Sequence, residues 1–218
     1  MTFDLFDSLP QQDPPHAEPI APGATVLRGF ARAHGQTLLD AVREVAARAP
    51  WRHLITPGGL RMSVAMTNCG QFGWVSDATG YRYEPADPLS GEPWPPMPGG
   101  FLSLARAAAA EAGFADFSPD ACLLNRYVPG TRLSLHQDRD ELDLRAPIVS
   151  VSLGLPAVFL FGGLQRTDPR QRVRLAHGDV VVWGGPARLA FHGIAPLADG
   201  DHALTGHERI NLTFRKTR

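Results

Sequence analysis

The sequence predicts a mainly β fold of the jelly-roll or sandwich class, with helices ahead of it. Three observations carry this. About eight short β-type runs, separated by turn residues, crowd into the ~95 residues after Ser118, a density typical of double-sheet all-β folds. Two stretches of helical periodicity precede them. A chain of 218 residues buries a full core in one domain, so no second domain is required.

In chain order, residues 1–22 are acidic and proline-rich, and are expected to form a flexible arm ahead of a single domain over 23–218. They have neither the basic start nor the apolar stretch of a signal peptide. From Gln36 to Ala49, residues Leu38, Leu39, Val42, Val45, Ala46 and Ala49 recur at helical spacing until Pro50 stops the run. Residues 51–98 contain the turn Pro57-Gly58-Gly59 and the aromatics Phe72, Trp74, Tyr81, Tyr83 and Trp94. They read as short strands and loops forming a cover over a site. An alanine-rich helix over 101–112 follows, with Gly113 as its C-terminal cap.

The core region, about 119–216, is expected to hold strands near 122–127, 133–136, 148–153, 158–161, 172–175, 179–183, 187–192 and 209–215. Turns fall at Pro129-Gly130, Gly162-Gly163, His177-Gly178, Gly184-Gly185 and Asp199-Gly200. The longest uncharged run, 147–164, is broken by Gly154, Pro156 and Gly162-Gly163. It falls short of the ~20 apolar residues of a spanning helix and reads as two buried strands, so no membrane partner is expected.

Composition narrows the function classes. The formal net charge is −1, which gives no general attraction to nucleic acid; such a partner would need a local basic patch. Two cysteines, Cys69 and Cys122, are too few for a disulfide framework and fit a reducing cytoplasm. No phosphate-binding glycine loop is present. Nothing suggests an obligate dimer, and a monomer is expected.

The chemistry lies in His136-Gln137-Asp138 and the distant His192. Two imidazoles and a carboxylate, split as a close pair plus one remote histidine, suit non-haem Fe(II) with open coordination positions. Alternate residues of a strand share a face, so His136 and Asp138 can both look into a barrel. A second His-x-Asp, His177-Gly178-Asp179, competes for this role. Only 14 residues lie between His177 and His192, too few for the intervening strands, and His177 reads as a turn residue outside the barrel end. Zinc is the rival metal, because the same ligand types serve hydrolases.

The last strand helps to decide. Arg209, Asn211, Thr213 and Arg215 fall on one face and Ile210, Leu212 and Phe214 on the other. Taken alone, this is also the pattern of a sandwich strand with one face in water. Beside a metal, two guanidiniums would grip a dicarboxylate at both ends. Asn125 and Tyr127, two apart on another strand, would add donors to the same anion.

The chain resembles the AlkB family of Fe(II)- and 2-oxoglutarate-dependent DNA repair dioxygenases, from about Ala21 to Arg215. The resemblance rests on Thr56-Pro57-Gly58-Gly59, Met62-Ser63-Val64-Ala65-Met66-Thr67-Asn68-Cys69-Gly70, Asn125-Arg126-Tyr127 and Leu135-His136-Gln137-Asp138. It continues through residues 146–154, 177–185 and Arg209-Ile210-Asn211-Leu212-Thr213-Phe214-Arg215. Departures fall at Phe191, where a bacterial member has tyrosine beside the histidine, and in the loop before Arg209.

The resemblance implies a double-stranded β-helix with N-terminal helices and a nucleotide-recognition cover. It implies Fe(II) on His136, Asp138 and His192, with 2-oxoglutarate and O2 as co-substrates. Arg209, assisted by Tyr127 and Asn211, would take the far carboxylate of 2-oxoglutarate; Arg215 and Asn125 would attend the near one. The implied reaction is oxidative demethylation of 1-methyladenine and 3-methylcytosine, releasing formaldehyde, succinate and CO2. The implied partner is alkylated single-stranded DNA, with duplex DNA or RNA as alternatives, since a stacked base must first leave the duplex.

In that reading Trp74 stacks on the cationic base opposite His136, and Asp140 receives its exocyclic amino group. Tyr81 and Thr56 would contact flanking phosphate, and Met66 and Arg166 would line the pocket. Arg61, Arg82, Arg139 and Arg166 are candidates for a phosphate-binding surface. Competing readings are a 2-oxoglutarate dioxygenase acting on a protein or small molecule, a non-catalytic jelly-roll binding module, and a zinc hydrolase.

Overall fold

Strand pairing begins earlier than the composition implies. The computed structural model describes residues 14–218, and there His16–Ala21 (β1) pairs antiparallel with Ala24–Arg28 (β2). The expected arm over 1–22 therefore contains an edge strand, while residues 1–13 lie outside the described residues. Gly23 makes the hairpin turn at φ +79°, where a Cβ would lie 2.5 Å from the Gly184 carbonyl oxygen. Only Ile20 of β1 is buried, so backbone hydrogen bonds rather than an apolar face hold it, and a hydrophobic pattern cannot reveal it.

Helix α1 (Gly35–Arg48) follows, burying Leu38, Leu39, Val42 and Val45. Next come β3 (Ala65–Gly70), the hairpin β4 (Gly73–Asp77) and β5 (Gly80–Glu84), and α2 (Gly99–Glu111). Gly113 (φ +89°) closes α2: its N–H bonds the Ala110 carbonyl, and the Phe114 N–H bonds that of Ala109. This double closure is the expected glycine cap.

The remaining strands are β6 (Ala121–Tyr127), β7 (Leu133–His136), β8 (Ile148–Gly154), β9 (Ala157–Phe161), β10 (Gln171–Leu175), β11 (Val180–Trp183), β12 (His192–Ile194) and β13 (Arg209–Arg215). They form a sheet ordered β1-β2-β11-β8-β13-β6-β3 and a smaller one ordered β10-β9-β12-β7, with β4-β5 apart. All pairing is antiparallel, and the two facing sheets make a jelly roll.

Two differences from the sequence reading bear on the site. β3 leaves the cover and joins the large sheet beside β6, with Cys69 opposite Cys122 as free thiols. The strand expected over 187–192 is instead a 3-10 turn (Gly185–Ala187) followed by β12, which starts at His192. Pro186, after two glycines, favours the turn and delays pairing.

Two apolar layers flank the large sheet. Val149, Val151, Val180, Val182, Ile210, Leu212 and Phe214 pack outward against α1 and α2. Val26, Leu123, Ile148, Phe159, Phe161, Leu175, Val181 and Trp183 fill the space between the sheets. Every residue of β13 is buried, because it runs between β8 and β6 with helices behind it. Its polar face therefore looks into the roll, and the reading of a water-washed face fails. No helix among the described residues is long and apolar enough to cross a membrane.

Candidate metal and co-substrate site

His136 ends β7 and His192 begins β12, and the two stand directly opposite each other in the pairing. Asp138 follows just past the end of β7, and Gln137, between the two ligands, donates to the Leu189 carbonyl at 2.6 Å. The Nε2 atoms of His136 and His192 lie 3.4 and 3.8 Å from the Asp138 carboxylate. One ligand atom from each of the three residues falls within 4.8 Å of the others.

The tautomers suit a metal. His136 Nδ1 faces the Ser134 carbonyl at 2.9 Å and His192 Nδ1 the Ala190 carbonyl at 3.0 Å. A carbonyl only accepts, so each Nδ1 carries the proton and each Nε2 keeps its lone pair. Burial, and then the neighbouring His136 ring, push the His192 imidazole down to about 4, so it is neutral at pH 7. Desolvation tends to raise the Asp138 carboxyl, but the Arg215 guanidinium and the His136 and His192 rings together outweigh it and hold the group ionised, well below the usual range. A neutral imidazole and a charged carboxylate are the forms that bind a divalent cation.

Arg215 donates Nε and Nη2 to Asp138 Oδ2 at 2.9 and 2.6 Å, which leaves Oδ1 on the side of His136. Deeper along β13, Arg209 is 1% exposed. It donates one bond, from Nη2 to Ser152 at 3.0 Å, and lies over the Tyr127 ring at 4.9 Å. Its Nε and Nη1 are buried without a partner among the described residues. Two unmet donors on a buried guanidinium call for an anion, and the carboxylate of a small diacid fits. Asn125 reaches Asn211 at 3.5 Å, whose own amide nitrogen is taken by Ser150 and Val151.

One cavity of about 790 Å³ joins these groups to the cover. The metal, co-substrate and base-binding residues expected from sequence line it: the triad, Asn125, Tyr127, Arg209, Asn211 and Arg215, together with Thr56, Met66, Trp74, Tyr81, Asp140 and Arg166. Trp74 and Tyr81 stack at 5.5 Å with an 11° interplanar angle. The Trp74 indole N–H donates to Asp140 Oδ2 at 2.8 Å, so this carboxylate, itself part of the cavity lining, braces the stacking wall. Thr56 accepts the Leu60 N–H and shapes the loop before β3; Arg166 donates to the Leu135 carbonyl.

Other residues fall elsewhere. Arg82 is bound to Asp77 and Glu84, so it is not a free phosphate contact. Asp179 accepts bonds from Arg28, Gly29 and Ala176, and His177 accepts the Gly154 N–H, so the second His-x-Asp braces the fold. Sequence reasoning missed Glu141, Arg188 and Tyr83, which meet behind Asp138. A buried arginine or glutamate has no spacing signature, and only the folded pairing reveals them.

Comparison with known proteins agrees with this chemistry. Residues 23–215 match the model of the 2OG-Fe(II) oxygenase superfamily. The chain is 61% identical over 215 residues to the alpha-ketoglutarate-dependent dioxygenase AlkB of Salmonella typhimurium, covering 98% of this chain and 97% of that one. Identity to the Escherichia coli protein of the same name is 58% over equal coverage. The solved structure of OsALKBH1 superposes with a TM-score of 0.81 at 27% identity, covering 92% of this chain and 100% of that one. A two-histidine, one-carboxylate triad beside a buried arginine, with a match across nearly the whole roll, places the chain in the 2OG-Fe(II) oxygenase superfamily.

Proposed function

We propose that this protein is an Fe(II)- and 2-oxoglutarate-dependent dioxygenase that repairs alkylated DNA by oxidative demethylation of 1-methyladenine and 3-methylcytosine. The observation that carries the co-substrate is Arg209, a buried cation with two unmet donors in the cavity that also holds the triad. His136, Asp138 and His192 would hold the iron. Arg209, with Tyr127 and Asn211, would bind the far carboxylate of 2-oxoglutarate, and Arg215 and Asn125 would attend the near one. With iron, 2-oxoglutarate and O2 bound, the centre supplies oxidation of the N-methyl carbon, which leaves as formaldehyde while 2-oxoglutarate becomes succinate and CO2.

The chain's own contribution is positioning and exclusion of water. The stacked Trp74 and Tyr81 give a flat apolar wall for a cationic base, and Asp140 gives a carboxylate at its edge. Arg61, Arg132, Arg139 and Arg166 line the same cavity, are exposed, and form no ion pair among the described residues. They form the local basic patch that a nucleic-acid partner needs on a chain of net charge −1. Single strands are the preferred form in this reading, because extracting a base from a duplex costs a few kcal/mol. The protein would act as a monomer in the cytoplasm.

The test incubates the protein with Fe(II), 2-oxoglutarate and a single-stranded oligonucleotide bearing 3-methylcytosine. Formaldehyde released in step with succinate is expected. Succinate without base repair would move the substrate to a protein or small molecule, and failure to bind iron would end the enzymatic reading.

A further inference from the structure

Behind the Asp138 carboxylate lies a buried cluster that the proposed chemistry does not use. Glu141 is 6% exposed and Arg188 3% exposed. Arg188 donates to Glu141 Oε2 at 2.9 Å, to the Asp138 carbonyl at 2.6 Å and to the Ala146 carbonyl at 2.9 Å. Arg215, already on Asp138, has its Nε 3.4 Å from Glu141 Oε1. Two carboxylates and two guanidiniums thus balance in a space withdrawn from water, where an unpaired charge is costly.

A neutral donor reaches the same cluster from outside the jelly roll. Tyr83, on β5, donates its hydroxyl to Glu141 Oε1 at 2.6 Å. That oxygen is therefore shared by Tyr83 and Arg215. With Tyr83 in place Oε1 is satisfied, and Arg215 stays on Asp138 Oδ2. Were Tyr83 withdrawn, Glu141 Oε1 would lose its shortest donor, and Arg215, 3.4 Å away, would be the group placed to replace it at the expense of its hold on Asp138. The β4–β5 hairpin has a second tie to the same segment, from Trp74 to Asp140. The stretch 138–141 therefore carries a metal ligand and two anchors of the hairpin whose aromatic face lines the cavity.

We infer that Glu141 and Tyr83 are positioning residues that couple seating of the β4–β5 hairpin to the hold on Asp138. A nucleotide bound under the hairpin and a metal bound at the triad then strengthen each other, since such coupling is reciprocal. This rests on the reading above that the triad binds metal and the hairpin covers the base.

The test titrates the full chain with Mn(II), following the free ion by its EPR signal, with 2-oxoglutarate present and iron absent so that nothing turns over. Each titration is run with and without a single-stranded oligonucleotide bearing 3-methylcytosine. The unsubstituted chain should bind Mn(II) more tightly when the oligonucleotide is present. Tyr83→Phe keeps the ring and every charged group and removes only the hydroxyl donor; it should bind Mn(II) roughly three- to tenfold more weakly and lose the response to oligonucleotide. Glu141→Gln should show a larger loss, on the order of tenfold or more, as expected for a group that orients a metal ligand. An unsubstituted chain that ignores the oligonucleotide, or a Tyr83→Phe chain with unchanged affinity or an undiminished response, overturns the inference and leaves the metal site standing. Absence of Mn(II) binding by the unsubstituted chain would overturn the underlying reading instead.

Discussion

The rings of His136 and His192 lie 4.3 Å apart, centroid to centroid, because the two residues are direct partners across β7 and β12. Protonating both would place two positive charges at that separation inside the roll. The buried His192 is held neutral, and the stability of the site therefore depends on pH.

Between about pH 6.5 and 4 the metal-free protein should lose stability. The His192 pKa falls from its ordinary 6.5 to about 4 on folding, so within that window the unfolded chain binds the extra proton and the folded chain does not. The loss is absent above pH 6.5 and complete below pH 4, amounting to roughly 3 kcal/mol at most. Chemical denaturation at several pH values measures it. His192→Gln should flatten this part of the profile, and an unchanged slope would remove His192 as its source.

Asp138→Ala and Asp179→Ala should behave in opposite ways, although both remove a buried aspartate after His-x. The first should abolish metal binding. The second should leave the metal in place and lower stability by about 2–4 kcal/mol, since it strands two buried backbone N–H groups and removes one of the two Arg28 ion pairs. Metal titration and a denaturation curve on each variant distinguish them, and the reverse result would mean the wrong pair was chosen.

Arg209→Met should raise the thermal stability of the co-substrate-free protein while removing 2-oxoglutarate binding. The guanidinium is buried with two unmet donors, and desolvation already pulls its pKa down. Arg209→Lys keeps the charge but not the fork; about a 10–100-fold rise in KM for 2-oxoglutarate is expected, with a smaller effect on kcat. A destabilised Arg209→Met protein that still binds 2-oxoglutarate would refute this role.

Oligonucleotide affinity should fall with salt. If the four exposed arginines of the cavity, Arg61, Arg132, Arg139 and Arg166, all meet phosphate, the slope of log K on log salt for a single strand is about −3. Arg139→Ala should reduce that slope by about 0.7, while Arg82→Ala should leave it unchanged, because Arg82 is neutralised by Asp77 and Glu84. Equal effects would mean that the ion pairs open on binding.

Much of this site is legible in the sequence alone. The period-2 pattern of Arg209 to Arg215 predicted which side chains share a face, and the distance in sequence from Asp138 to His192 left room for the strands that return the chain. What periodicity could not supply was environment. It left open whether the polar face of β13 met water or the inside of the roll, a matter settled by the helices packed behind it. β1 escaped notice because only Ile20 among its side chains is buried. Glu141 and Arg188 escaped because 47 residues separate them along the chain while a single contact joins them in space.

The two faces of β13 have separate duties, one turned to α1 and α2 and the other to the reacting groups. Even-numbered positions can be repacked for robustness while odd-numbered positions are altered for chemistry, with little interference between the two. Such a strand lets a lineage diversify its substrates without risking its shell, and it tells an engineer which alternate residues to leave alone.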